Sequence, residues 1–407
     1  MLEKSILYIS SNFTPESNAP ALRANEHAAV WAAKGLKVTV ICPFPNFPNG
    51  KVYDGFQHKL YERETIKSVI VYRVFTVLSP NRGVVLRLVS FLSFTIMAFF
   101  MGLFLKRHDV VLGSSPQFFS VTAAWLLAKL KRSKFIFEVR DIWPESAVAV
   151  GIIKKGNIFR LLEVYERFLY RQSDLIITVS NGIAKDLLLR GVNKLRLKVI
   201  TNGVSFKKYY PQEKSTALVE QLCLSNKIVF GYIGTHGRAH GLENILRVAE
   251  TLKNYHDVAF IFVGGGEYKK QLENLIEKKN LFNVISVPRV VGEDVPKYIN
   301  LCDVAIVSLI DSKVFETVIP SKVFENMAMG VPTLCIAPNG QATELINKYN
   351  CGWTVFPNSD DELRNLILRL RENRVELKEK SENSLSAGQY FDREKLACNL
   401  LEYIEDL

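Results

Sequence analysis

The chain has 407 residues, 48% hydrophobic and 23% charged; that is too long for one ordinary core and too apolar for a disordered chain, so two folded domains of about 200 residues are expected. Within residues 1–204, 28 Lys and Arg stand against 14 Asp and Glu, a balance of +14, so the remainder carries −3 of the whole-chain +11. A basic half suits nucleic acid, an anionic membrane surface or an anionic substrate, but aromatic residues that lie in apolar runs rather than among the bases argue against nucleic acid.

In chain order, residues 5–10 read as a strand, 12–23 as a loop, 21–34 as a helix closed by Gly35, and 37–42 as a second strand. The Pro-rich run 43–50 must be irregular, and 69–74 is a third strand. Residues 88–105 then carry eighteen positions without a charge, between Arg82 and Arg87 on one side and Lys106 and Arg107 on the other. Three readings compete: a helix buried in the first domain, a helix dipping into one leaflet with Phe91, Phe94 and Phe99, or a true span. Regular α/β patterning on both sides argues against the span, and the flanking bases favour the membrane surface. Strands at 110–113, 135–139, 175–179 and 198–200 alternate with helices at 118–130 and 158–171. Residues 205–226 read as a linker.

Alternation then restarts with strands at 228–233, 258–263, 284–287, 304–309 and 333–337, and helices at 241–253, 267–279 and 294–301. A charged helix over 360–382 and a last one over 392–407 complete the chain. Strands alternating with helices predict parallel sheets covered on both faces, an α/β protein of two Rossmann-like doubly wound domains facing a cleft. The six cysteines (Cys42, Cys223, Cys302, Cys335, Cys351, Cys398) show no C-x-x-C pair or ligand spacing and read as buried thiols of a reducing compartment. The N-terminus has no basic-then-apolar leader, which predicts a cytoplasmic protein.

Three glycine or helix-tip turns fall on the C-terminal edge of the second sheet, where open α/β folds bind ligands. The first, G-Y-I-G-T-H-G-R-A-H-G over residues 231–241, follows a buried strand, and Arg238 within it suits bidentate pairing with phosphate. The second is V-G-G-G-E over residues 263–267. The third is I-P-S-K-V-F-E-N-M-A-M-G-V-P over residues 319–332, where Ser321 is expected at the N-cap, Lys322 adds a charge to the positive end of a helix, and Glu325 stands one turn in, placed to accept both hydroxyls of a ribose. Tight-loop geometry and an ordinary amphipathic helix are the alternatives for these segments. In the first domain F-E-V-R-D-I-W-P-E-S, over residues 137–146, ends a strand with Glu138, Arg140, Asp141 and Glu145, either a salt-bridged loop or a catalytic and acceptor site; the loop N-A-P-A-L-R over residues 18–23 lies on the corresponding edge.

Together G-R-A-H-G-L, F-V-G-G-G, P-S-K-V-F-E-N-M-A-M-G-V-P, T-N-G-V and E-V-R-D-I-W-P-E-S resemble the GT-B family 4 glycosyltransferases, in particular the branch like the N-acetylfucosaminyltransferases of bacterial surface-polysaccharide synthesis. The resemblance implies that the domain at 1–204, which holds the membrane-associating helix read from the apolar run near 84–107, binds the acceptor and that the domain at 227–390 binds the nucleotide sugar. It also implies that residues 391–407 cross back onto the first domain. The chain departs from the family pattern: the first of the two family glutamates is Thr317, with Glu316 one residue off, the diphosphate's basic pair is replaced by Thr235 and His240 with Arg238 between, and Arg140 stands where a histidine is common.

The resulting expectation is an enzyme that moves a sugar from a nucleoside diphosphate sugar, UDP-linked, to a lipid-linked or oligosaccharide acceptor in O-antigen or capsule synthesis, retaining and metal-independent. No D-x-D is present to hold Mg²⁺ under a diphosphate, and no cofactor beyond the substrate is expected. Arg238, Lys322, Glu325 and Asp141 are the expected catalytic residues. Gly234, Thr235, Gly237, His240, Gly264, Gly265, Arg289, Glu316, Thr317, Pro320 and Ser321 are expected to line the donor site, with Asn18, Arg23, Arg140 and Glu145 on the acceptor side. Location is expected at the inner face of the cell membrane, against anionic lipid. A nucleotide-sugar 2-epimerase of the same fold and a non-catalytic partner of a polysaccharide-assembly complex are the alternatives.

Overall fold

The computed structural model describes residues 4–79, 84–115, 118–149, 154–290 and 292–407. Arg82, one of the bases expected beside the apolar helix, lies outside them. The chain divides into two compact units, Met1–Thr201 with Arg393–Leu407, and Asn202–Asp392.

The first unit runs β1 (Ser5–Ile9), α1 (Ala19–Ala33), β2 (Lys37–Pro43), β3 (Tyr61–Ile66), β4 (Val69–Val74), α2 (Val84–Phe104), β5 (Val110–Ser114), α3 (Phe118–Lys131), β6 (Lys134–Val139), α4 (Glu145–Ala149), α5 (Asn157–Gln172), β7 (Leu175–Thr178), α6 (Asn181–Leu189) and β8 (Leu197–Val199). Its sheet has the order β3-β4-β2-β1-β5-β6-β7-β8. All pairings are parallel except β3 with β4. Edge strand β3 of that hairpin is absent from the expected elements, because Y-E-R-E-T-I is half charged and buries nothing fully, so only its pairing makes it a strand.

One sheet face is covered by α2, α3 and α5, with Phe94, Ala98, Leu127, Leu169 and Tyr170 in one core cluster. The other is covered by α1 and the final helix, where Trp31, Ala28 and Leu400 are fully buried.

The second unit runs α7 (Thr216–Gln221), β9 (Ile228–Ile233), α8 (Leu242–Thr251), β10 (Val258–Val263), α9 (Lys269–Lys278), β11 (Val284–Val287), α10 (Val295–Leu301), β12 (Val304–Ser308), α11 (Ser321–Ala328), β13 (Thr333–Ile336), α12 (Gln341–Lys348), β14 (Gly352–Val355), α13 (Asp360–Glu372) and α14 (Arg374–Gly388); α15 (Arg393–Glu405) closes the chain in the first unit. The sheet is wholly parallel in the order β11-β10-β9-β12-β13-β14. Residues 205–226, expected as a linker, belong to this unit: Tyr209 and Leu224 are buried in its core. The charged helix expected over 360–382 is two helices. Asn373 ends α13 and its side chain caps α14 by accepting from Glu376 N, the local bonding that makes Asn a better cap than helix interior.

α15 is fastened to α1 by the Trp31 indole N–H, which donates to Ala397 O at 2.9 Å, and by Arg393 paired with Glu26 at 2.7 Å.

Arg23 and Glu138, read from sequence as candidates at an acceptor edge, form a buried ion pair instead. Arg23 Nε donates to Glu138 Oε1 at 2.8 Å, with both side chains at most 2% exposed. The guanidinium also donates to Thr201 O at 2.7 Å and Ile200 O at 3.0 Å, while Ser114 Oγ and Tyr8 Oη donate to the other carboxylate oxygen. Each carboxylate oxygen thus has a partner, the condition under which a buried charge is tolerated. Desolvation would raise the Glu138 carboxyl, but Arg23, Arg140 and the Ser114 bond overcome it and hold it at about 2. A carboxylate depressed in this way stabilises the fold above its unfolded value of about 4.3, and the contribution is lost as pH falls towards about 2. Arg23→Ala, which leaves Glu138 buried and unpaired, should cost the first unit about 3–5 kcal/mol in urea unfolding. The pH dependence of stability between about 4.3 and 2 should flatten in the double variant Arg23→Met with Glu138→Met.

Candidate functional site

In the second sheet the chain leaves β9 towards β10 and β11, then returns to the other side of β9 with β12, β13 and β14. The crevice outside the C-terminal ends of β9 and β12 is therefore the topological switch point, the place where open parallel sheets receive ligands. The glycine turn after β9 stands there. His240 Nδ1 lies 3.2 Å from Ser308 O at the end of β12, and Ile310 N donates to Ala239 O at 3.0 Å, so the two loops are joined across the switch.

The three turns singled out in the sequence do come together. A Cβ on Gly264, at φ +146, would run into the carbonyl of Gly234, and a Cβ on Gly234, at φ +144, would stand 2.5 Å from Lys322 Nζ. Backbone therefore meets backbone between the β9 and β10 turns, and the amine from α11 lies against Gly234 of the first, an approach that only glycine permits. His236 N donates to Gly265 O at 2.9 Å and fixes the register of the two turns.

The third turn is built differently from expectation. Pro320 occupies the N-cap and Ser321 is the first helical residue, with no side-chain cap bond. Proline has no N–H to lose there; Val323 N donates to Pro320 O at 3.1 Å, and the N–H groups of Ser321 and Lys322 stand at the positive end of the helix, where an anion is favoured. Glu325 is half-buried one turn in. Glu316 and Thr317 lie on the 3-10 turn Lys313–Thr317, against which Gly340 packs so closely that its Cβ would sit 2.6 Å from Glu316 Cα.

Lys322 lies with Nζ 3.7 Å from the centroid of the Tyr232 ring. Desolvation pulls its amine down to about 7, and Glu325 opposes the shift. The rings of His236 and His240 each lie 5.8 Å from that of Tyr232. Both imidazoles are pushed down to about 4, by desolvation first and by the nearby lysines second, so both are neutral at physiological pH.

Arg238 points outward: it is 81% exposed and 4.0 Å from Glu267. Thr235 and Arg289 are exposed and Gly237 is half-buried, which puts them on the rim. Tyr232 and His236 were not singled out, because Tyr232 sits inside the apolar run I-V-F-G-Y-I. His236 is fully buried with both ring nitrogens unpartnered. A recess of about 640 Å³ lined by Trp353, Asn365 and Arg369 lies beside β14 and holds none of these residues.

The first unit corrects several expected acceptor residues. Asn18 caps α1 by accepting from Ala21 N at 2.9 Å, Arg23 belongs to the buried ion pair, and Glu145 pairs with Arg190 at 2.5 Å. These are fold-holding roles. Arg140 and Asp141 remain at the end of β6, both half-buried. Arg140 N donates to Ser115 Oγ at 2.9 Å while its Nε has no partner. Desolvation raises the Asp141 carboxyl, with Arg140 opposing. Among the cysteines, Cys42, Cys302, Cys335 and Cys351 are buried but Cys223 is exposed, and none forms a disulfide.

The model of Glycosyltransferase Family 4 matches residues 23–208, and that of Glycosyl transferases group 1 matches residues 216–386. The chain is a GT-B family 4 glycosyltransferase. It is 30% identical over 274 residues, 64% of the chain and 66% of the relative, to the probable glycosyltransferase WbjE of Pseudomonas aeruginosa. It is 25% identical over 333 residues, 80% of the chain and 81% of the relative, to the putative colanic acid biosynthesis glycosyl transferase WcaI of Escherichia coli. The glycosyltransferase fold is shared with Anabaena HepE in complex with UDP-glucose, at TM-score 0.73 and 18% identity, covering 99% of this chain and 100% of that one. Thermosynechococcus elongatus sucrose-phosphate synthase matches at TM-score 0.73, 16% identity and 99% of each chain.

Gly264→Ala in this glycosyltransferase should lower stability by about 1–3 kcal/mol through overpacking against the Gly234 carbonyl, read as a fall in thermal midpoint.

Proposed function

We propose that the second unit binds a nucleoside diphosphate sugar, uridine-linked, and that the enzyme passes its sugar to a lipid-linked or oligosaccharide acceptor. The observation that carries this reading is the meeting of two glycine turns, an uncapped helix tip, Lys322 and Glu325 at the β9/β12 switch point. The N–H groups of α11 and the Lys322 amine supply positive charge for a diphosphate, and Glu325 one turn in accepts from the ribose diol. As the sugar leaves, charge builds on the diphosphate, and fixed donors at that point lower the barrier. Arg238 on the rim has the reach to close onto the phosphates. Asp141 and Arg140 serve the acceptor, in a retaining, metal-independent transfer.

The resemblance to N-acetylfucosaminyltransferases favours an N-acetylated deoxyhexosamine as the sugar and O-antigen or capsule as the product. The 2-epimerase alternative acts on a soluble substrate and has no use for the apolar surface described next.

We further propose a peripheral station on the inner face of the cell membrane. In α2 the stretch Leu86–Phe104 is long and apolar enough to cross a bilayer, with only 17% of it buried. Phe94, Ala98 and Gly102 pack towards the unit's interior, and a Cβ on Gly102 would overlap Leu127 of α3. Leu92, Ile96, Phe100 and Phe104 face out, the last 86% exposed. The helix thus has one face in the core and one apolar face outside it, which supports the leaflet reading over full burial. Exposed Ile158, Leu161 and Val164 of α5, interleaved with Arg160 and Arg167, lie on the same side of the sheet. Apolar insertion and a basic rim worth about 1 kcal/mol per base reinforce one another.

Glu325→Ala should leave the fold intact and reduce transfer from a UDP-sugar at least about tenfold, the loss of one charged hydrogen bond; a rate within a factor of about two of wild type would remove Glu325 from the site. For the membrane face, wild type should float with anionic vesicles. Leu92→Ser with Ile96→Ser and Phe100→Ser should sediment while keeping its thermal midpoint, because these side chains lie outside the core. Phe94, the middle member of the aromatic trio expected from sequence to enter the lipid, is 1% exposed, so its replacement would test folding instead. Wild-type protein confined to the bottom of the gradient would refute the membrane station.

A further inference from the structure

Nothing in the donor-site reading above gives Tyr232 a part, yet it touches the first glycine turn and the Lys322 amine and lies beside both neutral imidazoles. Its hydroxyl donates to Thr235 O at 2.7 Å, which pins the glycine turn it precedes. Its ring face carries the Lys322 amine at 3.7 Å, and the two neutral imidazoles lie tilted against it, each with its centroid 5.8 Å away.

A cation gains less from a tyrosine ring than the desolvation of an ammonium costs. The surroundings do not make up the difference. Facing Lys322 are Tyr232 from β9 and His236 and His240 from the turn after it, all uncharged at neutral pH, with Lys269 of α9 a like charge behind His236. From its own helix come Glu325, the one carboxylate acting on it among the described residues, and the positive end of the α11 dipole, which opposes a cation. Gly234 roofs the slot. A bound diphosphate would bring two negative charges into this place.

We propose that Tyr232 is the positioning residue of the donor site: its ring face parks the Lys322 amine beneath the glycine turn, and binding of a nucleoside diphosphate sugar draws a proton from solvent onto that amine. The inference rests on the donor-site reading. The proton comes from the buffer and the amine nitrogen supplies the electron pair; no other bond changes. Because the amine of the empty site titrates at about 7 and the occupied one above it, donor affinity is full below that value. It falls up to tenfold per pH unit above it, until the occupied amine also deprotonates.

The experiment is calorimetric titration of the enzyme with UDP-glucose, whose diphosphate stays fully ionised, at about pH 8 in buffers of different ionisation heat. Wild type should take up about half to one proton per site, and Lys322→Met should bind more weakly with no uptake. Tyr232→Phe keeps the ring face and should keep the uptake, while its loss of the Thr235 bond raises the donor KM. Tyr232→Leu should shift the pH at which donor KM begins to rise; where that variant fails to fold, the wild-type, Lys322→Met and Tyr232→Phe titrations decide alone. Binding of UDP-glucose with a heat independent of buffer overturns the proton coupling and leaves the donor site standing. A persistent uptake in Lys322→Met overturns the assignment to Lys322. No binding of UDP-glucose, UDP-N-acetylglucosamine or UDP overturns the donor site and this inference together.

Discussion

Contact of backbone with backbone at the ends of β9 and β10 is the constraint on which the second unit's site depends. The Gly264 position touches the Gly234 carbonyl, and Gly266 sits so close to the backbone of His236 that a Cβ there would stand 3.1 Å from its nitrogen. With side chains kept out, the two turns nest, Tyr232 can reach back to Thr235, and the α11 lysine can lie under the roof they form. A parallel sheet supplies the rest, since every strand of this unit presents its C-terminal end on the same edge. Glycine does not bind anything here. It removes the bulk that would hold the binding groups apart.

Glu138 and Lys322 show charge treated in opposite ways. In the first unit, Glu138 is met by Arg23, Ser114 and Tyr8 and is fully satisfied, which ties α1, β6 and the end of the chain segment at Thr201 into one piece. In the second, Lys322 is left on an aromatic ring with neutral histidines around it. Satisfied charge holds a fold; charge left short of partners is what a site keeps for its ligand. This difference, rather than residue type, separates Arg23 from Lys322, although both are cations at strand or helix edges of equal promise in the sequence.

α2 shows a related division within one helix. Positions 94, 98 and 102 repeat every four residues and form the face that packs on α3, while 92, 96, 100 and 104 form the next one and stay outside. An unbroken apolar stretch hides this division, because periodicity cannot be read where every residue is apolar. Burial on one side and exposure on the other are both required by the proposed membrane station.

Strand and helix alternation, the two-unit plan and the three turns that meet at the switch point could be read from the chain, since buried parallel strands write continuous apolar runs and glycine marks the turns between them. The sequence by itself also carried the family, through the spacing of P-S-K-V-F-E-N-M-A-M-G-V-P and the glycine motifs. It did not reveal the antiparallel edge β3, whose pattern is made by pairing, or the break at Asn373, where one cap outweighs a continuous charged stripe. Nor did it separate Asn18, Arg23 and Glu145, which hold the fold, from Arg140 and Asp141, which remain open to chemistry. Only the tertiary structure placed Tyr232 beneath Lys322 and put the β9 and β12 loops side by side. Local propensity reports what each residue favours alone, whereas strand order and close approach decide which residues, distant in the chain, compete for the same charge, hydrogen bond or space.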